Sequence, residues 1–233
     1  MKQLIHFIAV LSVTAGLFLI SSCEKDAVIP PTPYYRDYFP AKVGSYITYM
    51  CDSIVFNDFT DVTDTFRFQI KEKYVSEFTD NSGRPAIRIE RWKRDDTTSW
   101  FLKDIWYVVK TDKQIEKVEE DQRYLKLIFP VRQDLNWNSN ALNGEDSLNV
   151  FYKSVHTPFN NGILQFDSAA TVESTYPNNL INEFVSTETF AMKTGMVYKQ
   201  LLSKEMQNNP SGTGLELKKL TLFTMNAIET GVE

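Results

Sequence analysis

The chain predicts a mainly β fold, an antiparallel meander bent into a curved sheet, half-barrel or barrel with little helix. Three observations carry that expectation. Apolar and polar residues alternate with period two through Phe66-Arg67-Phe68-Gln69-Ile70-Lys71 and Ile87-Arg88-Ile89-Glu90, which places one face of each segment in a core and the other in water. Turn-forming clusters recur at a spacing of roughly 8–12 residues, as in meanders, barrels and sandwiches. Continuous apolar runs, the mark of parallel sheets buried on both faces, are missing from the body of the chain.

Taken in order, the elements follow from local chemistry. Cys51 sits in a strand-like run and, as a lone thiol there, is expected to act as a small buried hydrophobe. Thr79-Asp80-Asn81-Ser82-Gly83 closes a hairpin between Tyr74–Phe78 and Pro85–Trp92, and Arg94-Asp95-Asp96-Thr97-Thr98 closes the next, before a strand over Ser99–Leu102. Thr111-Asp112-Lys113 separates Ile105–Lys110 from Gln114–Glu119, and Asn160-Asn161-Gly162 precedes Ile163–Phe166. Leu125–Phe129 and Leu220–Met225 alternate with doubled apolar positions. About ten to twelve strands result. Two stretches are ambiguous. Asn179–Val185 has an Asn cap and a Leu180/Phe184 pair at helical spacing, but its β-branched and aromatic continuation favours strand. Tyr198–Gln207 reads either way.

The N-terminal segment gives an address. Lys2 precedes an apolar run from Leu4 to Ile20, and Ile20-Ser21-Ser22-Cys23 follows. A basic start, an apolar core and small residues before a cleavage point make a secretory signal peptide; the alternative is a spanning helix at the short edge of what a bilayer needs. The segment resembles the lipobox of bacterial lipoproteins, which implies that Cys23 is acylated and becomes the first mature residue. Several acyl chains make such an anchor stable. The expected organisation is a lipoprotein signal over 1–22, a lipidated Cys23 with a proline-rich tether over 23–33, and one β-rich domain over 34–230. Proline-rich tethers are stiff and extended. Glu24-Lys25-Asp26 after the cysteine resembles the lipoprotein export signals of Bacteroidota, implying an outer-membrane location, on the cell-surface or the periplasmic face.

Three further segments resemble a broad set of Bacteroidota outer-membrane lipoproteins: Tyr38-Phe39-Pro40-Ala41-Lys42-Val43-Gly44-Ser45-Tyr46, Phe129-Pro130-Val131 with Trp137, and Thr194-Gly195-Met196-Val197-Tyr198-Lys199. The resemblance implies a β-rich envelope domain and no assigned activity. On physical grounds Gly44 and Gly195 read as turn or close-packing glycines, and Tyr46 and Tyr198 as core aromatics.

Composition narrows the chemistry. Formal net charge is −5, and with no basic patch to neutralise phosphates, nucleic acid is not expected as a partner. His6 lies in the signal segment, leaving His156 as the lone mature histidine, read as a surface residue before a turn. That excludes paired-His metal motifs, and no Gly-x-Ser-x-Gly elbow or phosphate-binding glycine loop occurs. Asp58, Asp61 and Asp64 do not have a calcium-loop rhythm. No metal, cofactor or enzymatic activity is expected.

The remaining candidates are binding features. Trp92, Trp100 and Trp106 fall on neighbouring predicted strands, where aromatics on one face can stack into a platform for sugar rings; the alternative is ordinary core. Asp52-Ser53-Ile54, Asp96-Thr97-Thr98, Asp146-Ser147-Leu148 and Asp167-Ser168-Ala169 resemble the O-glycosylation sites of Bacteroidota, with Ser53, Thr97, Ser147 and Ser168 as acceptors, or are simple turn formers. Glu119-Glu120-Asp121 and Asp95-Asp96 read as solvated turns. Three functional readings stand: a non-enzymatic structural or interaction module of the envelope, anchored to the membrane by its N-terminal lipid and meeting envelope proteins; a carrier of lipid or lipoprotein, resembling the half-barrel of lipoprotein chaperones; and a surface glycan-binding protein.

Overall fold

The computed structural model describes residues 35–95, 98–176, 179–209, 212 and 214–233. The signal segment, Cys23, the tether and Thr97 lie outside the described residues. A short 3₁₀ turn, Arg36–Tyr38, leads into twelve strands: β1 (Ser45–Asn57), β2 (Val62–Thr79), β3 (Pro85–Arg94), β4 (Phe101–Lys110), β5 (Gln114–Glu119), β6 (Gln122–Ile128), β7 (Asn136–Asn138), β8 (Asn149–Asn160), β9 (Gln165–Thr175), β10 (Asn182–Ala191), β11 (Gly195–Asn208) and β12 (Leu215–Val232).

The sheet order is β6-β5-β4-β3-β2-β1-β12-β11-β10-β9-β8-β7. Two antiparallel meanders therefore grow outward from the pair β1–β12, which runs in register from Ser45↔Val232 to Asn57↔Lys219. The outermost strands, β6 and β7, come back together and nearly close a barrel. Across that seam the Leu125 N–H donates to the Ser139 carbonyl at 2.8 Å. The Trp137 indole N–H donates to the Leu125 carbonyl at 2.8 Å, and the Tyr152 hydroxyl to the Ile128 carbonyl at 2.6 Å. Side chains thus satisfy backbone groups that two open sheet edges would leave exposed.

Period-two alternation decides what points inward. Ile47, Tyr49 and Cys51 of β1, Ile70 and Tyr74 of β2, Ile89 of β3, Ile115 of β5, Leu127 of β6, Tyr152 of β8, Phe190 of β10 and Ala227 of β12 form one buried cluster. Tyr38 and Phe39, from the 3₁₀ turn and the residue after it, join this cluster. Burying each such large side chain contributes about 1.5–3 kcal/mol. The Tyr49 hydroxyl, deep in the core, donates to the Met196 carbonyl at 2.7 Å. Bulges at Thr48/Tyr49 of β1 and Thr189/Phe190 of β10, among others, bend the strands.

The predicted hairpins at Asp80–Gly83, Asp95–Thr98, Thr111–Gln114 and Asn161–Leu164 are present as hydrogen-bonded turns. Of the two ambiguous stretches, Tyr198–Gln207 lies within β11, and Asn179–Val185 enters strand β10 only from Asn182, after a turn over 179–181. Two expectations are corrected. Phe101 and Leu102 join residues 105–110 in a single strand, β4, because no turn chemistry interrupts them, while Ser99 and Trp100 precede it. Tyr46 and Tyr198 are not core aromatics: each lies one position out of phase with an inward residue. Tyr46 covers Gly231 on the outer wall, where any Cβ would meet its ring at 2.8 Å, and its hydroxyl donates to Glu229. Tyr198 lies against Phe159, with ring centroids 5.9 Å apart.

Candidate functional site

The lumen is crossed by charge. Asp104 (β4), Arg91 (β3), Glu72 (β2), Lys117 and Glu119 (β5), Lys126 (β6), Glu188 (β10) and Lys199 (β11) form one chain of alternating sign. Arg91 pairs with Asp104 at 2.7 Å and with Glu72 at 3.0 Å. Lys117 pairs with Glu72 at 3.1 Å and with Glu119 at 3.4 Å. Lys126 pairs with Glu119 at 3.7 Å and crosses to Glu188 at 2.8 Å, and Glu188 also takes Lys199 at 2.9 Å. The Lys126–Glu188 bond ties the β6 side of the seam to the β7–β11 side. Four cations and four carboxylates balance along this chain, and the exposed Lys103 also pairs with Asp104 at its outer end at 2.7 Å; such balance is how charges persist in an interior that would otherwise neutralise them.

Burial works to raise the Glu119 carboxyl, but Lys126, Lys117 and Lys199 outweigh it and hold it at about 2. Glu188 is likewise held well below the usual carboxylate range: burial opposes, and the attraction of Lys126 and Lys199 wins. Lys126 is raised, because Glu119 and Glu188 overcome its own burial. Each group is locked in its charged form, far from the near-neutral poise of an acid–base catalyst.

Two cavities flank this chain. The larger, about 230 Å³, has Glu119, Lys126, Glu188 and Lys199 on one wall and Leu148, Val150, Val172, Phe184 and Leu201 among its apolar lining. Ser139, Ser174 and Ser186 also face it. The smaller, about 120 Å³, shares Glu119, Glu188 and Lys199 and adds Arg91, Lys117 and Trp106. The Trp106 ring lies 3.6 Å from the Arg91 guanidinium and 4.6 Å from the Lys117 ammonium. Its indole N–H is buried without a hydrogen-bond partner among the described residues.

The three tryptophans do not form one platform. Trp106, opposite the core residue Ile89, faces the lumen. Trp92 lies opposite Lys71 on the outer wall. Trp92 keeps the outward phase it shares with Arg88 and Glu90, and the bulge in the β3–β4 pairing leaves Lys103 of β4 as the extra residue, between Trp100 and Trp106. Trp92 and Trp100 instead share an outer cleft of about 230 Å³ with Lys71, Lys73, Glu90 and Glu233. The Arg94 guanidinium stacks 4.5 Å from the Trp100 ring. Glu233 pairs with both Lys71 and Lys73.

The other candidates separate. Ser53, on β1, faces a hollow of about 480 Å³ with Val55, Phe66, Phe68 and Lys93. Ser147 is exposed in the loop before β8. The Ser168 hydroxyl is engaged 2.8 Å from the fully buried Tyr38 hydroxyl, which also meets His156 Nδ1 at 2.7 Å. His156 is exposed, with Tyr35 stacked on its ring at 4.1 Å. Cys51 is buried, and burial pushes its thiol up to about 12. Among the described residues, no group of three or more His, Cys, Asp or Glu is placed to hold a metal.

Sequence reasoning missed the charged chain. Glu120 and Asp121 do form the expected tight turn, with φ of 48° and 63°, but Glu119, expected in that solvated turn, points into the lumen. The available signal was phase. Glu72 lies between Ile70 and Tyr74, and Glu188 two residues before Phe190, on positions that alternation assigns to the core.

No protein-family model matches the chain, and no curated protein matches it. A solved structure with some likeness is that of a "putative lipoprotein" from Parabacteroides distasonis. It is 8% identical, covers 83% of this chain and 98% of that one, and has a TM-score of 0.42. A likeness this distant carries no argument about function.

Proposed function

We propose that the protein is a lipid-anchored, non-enzymatic binding module of the bacterial cell envelope, tethered to the outer membrane through Cys23, and that its barrel lumen is the binding compartment. The carrying observation is the 230 Å³ lumen cavity whose charged groups are fully paired and sit among apolar lining residues. Groups locked in one charge state orient a ligand and do not exchange protons with it. The cavity is smaller than the roughly 300–1,000 Å³ pockets that enclose drug-sized ligands, and ion pairs cross it, so a small molecule fits this lumen better than the long acyl chains of a lipid carrier.

Native mass spectrometry of the full chain, released gently from membranes in mild detergent, tests the reading. A bound small molecule that is lost when Ser186→Leu fills the cavity supports it. Acyl chains held in the lumen would favour the carrier instead. The anchor is tested separately: metabolic labelling with a fatty acid is expected to label the wild-type protein and not Cys23→Ala, and an unlabelled wild-type protein would refute lipid anchoring.

The outer cleft supports a second reading. Trp92 and Trp100, flanked by Lys71, Lys73, Glu90 and Glu233, offer aromatic faces and hydrogen-bonding groups to a surface glycan. Quenching of tryptophan fluorescence by soluble glycans, abolished in Trp92→Ala, would favour it over the lumen.

A further inference from the structure

We infer that the 230 Å³ lumen pocket takes a small, electroneutral, hydroxyl-rich molecule of monosaccharide size. This inference rests on the lumen reading above and names its ligand class. Four features of the pocket converge on it.

The first is charge. Every cation facing the pocket already has its carboxylate: Lys126 and Lys199 both bond Glu188, and Glu119 lies against Lys117 and Lys126. An ionic ligand would enter with no unmatched counter-charge to meet, and an uncompensated charge in such a site is strongly unfavourable. A neutral ligand avoids that cost.

The second is unspent hydrogen-bonding capacity. The hydroxyls of Ser139, Ser174 and Ser186 line the pocket with no hydrogen-bond partner among the described residues. Ser186 is 8% exposed, and its hydroxyl opens on the pocket. Ser174 and Ser186 are direct cross-strand neighbours on β9 and β10, which sets two hydroxyls side by side. Each lysine ammonium carries three N–H donors, more than its ion pairs consume, and a serine hydroxyl both donates and accepts. Ligand groups that also do both, namely alcohol hydroxyls, match this mixture. Carboxylates and phosphates only accept, and ammonium groups only donate.

The third is the apolar part of the lining. Leu148, Val150, Val172, Phe184 and Leu201 face the pocket, with Val172 directly across from Glu188 and Leu201 directly across from Ser186. A sugar ring has the complementary architecture, with hydroxyls around its edge and a C–H face.

The fourth is size. The cavity falls below the roughly 300 Å³ lower bound for drug-sized ligands, so it suits one ring and excludes an oligosaccharide held along its length. The ring is either a free sugar or the terminal residue of a glycan.

The test is saturation-transfer NMR on the full chain in mild detergent. The probes, at millimolar concentration, are neutral hexoses and pentoses, their methyl glycosides, a uronate, a hexosamine and a medium-chain fatty acid. Transfer to at least one neutral sugar or glycoside is expected, weakened about tenfold or more in Ser174→Ala/Ser186→Ala, where two hydroxyl partners are lost. A free sugar alone indicates a soluble ligand, and a glycoside alone indicates a glycan terminus; both support the inference. A thermal melt establishes that the double variant is folded, and Ser186→Leu, which fills the pocket, is expected to abolish transfer. Preference for the uronate, hexosamine or fatty acid in the lumen overturns the sugar assignment and leaves the lumen reading standing. Sugar binding that survives both serine variants but is lost in Trp92→Ala places the site in the outer cleft and overturns the inference. No transfer from any probe, with no co-purifying molecule in the native mass spectrum, overturns both.

Discussion

Replacing Glu188 by alanine removes the carboxylate that joins the two sides of the seam. Its Oε1 accepts from Lys126 at 2.8 Å and lies 2.9 Å from Lys199 Nζ, and the side chain is 9% exposed. In the variant, among the described residues, Lys126, 11% exposed, keeps only Glu119 at 3.7 Å, and Lys199 loses the only carboxylate within ion-pair distance. Deleting one partner of a buried pair costs about 3–5 kcal/mol, because the other charge stays buried and uncompensated. For a domain of this size each kcal/mol lowers Tm by about 2–4 °C, so the midpoint is expected to fall by about 10 °C. Urea unfolding followed by tryptophan fluorescence measures the change as a shift in midpoint at constant slope. The double variant Glu188→Leu/Lys126→Met, which removes both charges of the crossing pair, is expected to recover only the part of the loss due to Lys126, since Lys199 stays without Glu188. A loss below about 1 kcal/mol in Glu188→Ala would put the pair among solvated surface bridges and refute a charged chain sealed in the barrel.

Four more outcomes follow from the same structure. Glu119 is held at about 2 by its lysines against the opposing effect of burial; a carboxyl depressed on folding stabilises above its unfolded pKa of about 4.3 and loses that contribution as pH falls toward 2. The urea midpoint should therefore hold steady from neutrality to about pH 5 and drop below it, with a shallower drop in Glu119→Gln; equal slopes would refute the assignment. Cys51, pushed up to about 12 by burial, should resist alkylation at pH 8 in the native state of a Cys23→Ala background and react once urea unfolds the chain; native reaction at the rate of a free thiol would contradict its burial. Trp137→Phe removes the indole donor to the Leu125 carbonyl and should destabilise by about 1–3 kcal/mol, with faster amide exchange in β6; exchange unchanged from wild type would show that the seam is held by other contacts. Gly44→Ala places a Cβ 2.9 Å from the Glu233 carbonyl oxygen at a φ of +87°, which should cost at least about 1 kcal/mol in urea; a neutral result would mean that the chain end moves aside.

What was legible in the sequence was local. Alternation at Phe66–Lys71 and Ile87–Glu90 and the turn at Asp80–Gly83 are short-range steric and hydrogen-bonding facts, and they determined an antiparallel meander and most of its hairpins. Asp80 illustrates the point: its carboxylate accepts from the Ser82 and Arg84 backbone N–H groups within its own turn. Trp92 follows the outward phase of Arg88 and Glu90, while Trp106, paired with Ile89, faces the lumen, because which residues oppose one another is set by cross-strand register that local reading does not supply. The charge in Glu72, Arg91, Lys117 and Glu188 was visible, but its meaning was not, since a charged residue at an inward phase is tolerable only if an opposite charge waits across the lumen. That depends on strand order and on the pairing of β1 with β12, which brings residues 62 positions apart, such as Lys126 and Glu188, into contact. The sequence by itself determined an antiparallel β meander; the lipobox resemblance of its first residues is an expectation that lies outside the described residues. Only the tertiary structure decided that the meander curls into a nearly closed barrel with a paired, polar lumen, because Coulomb energy and desolvation depend on distances that no linear pattern contains.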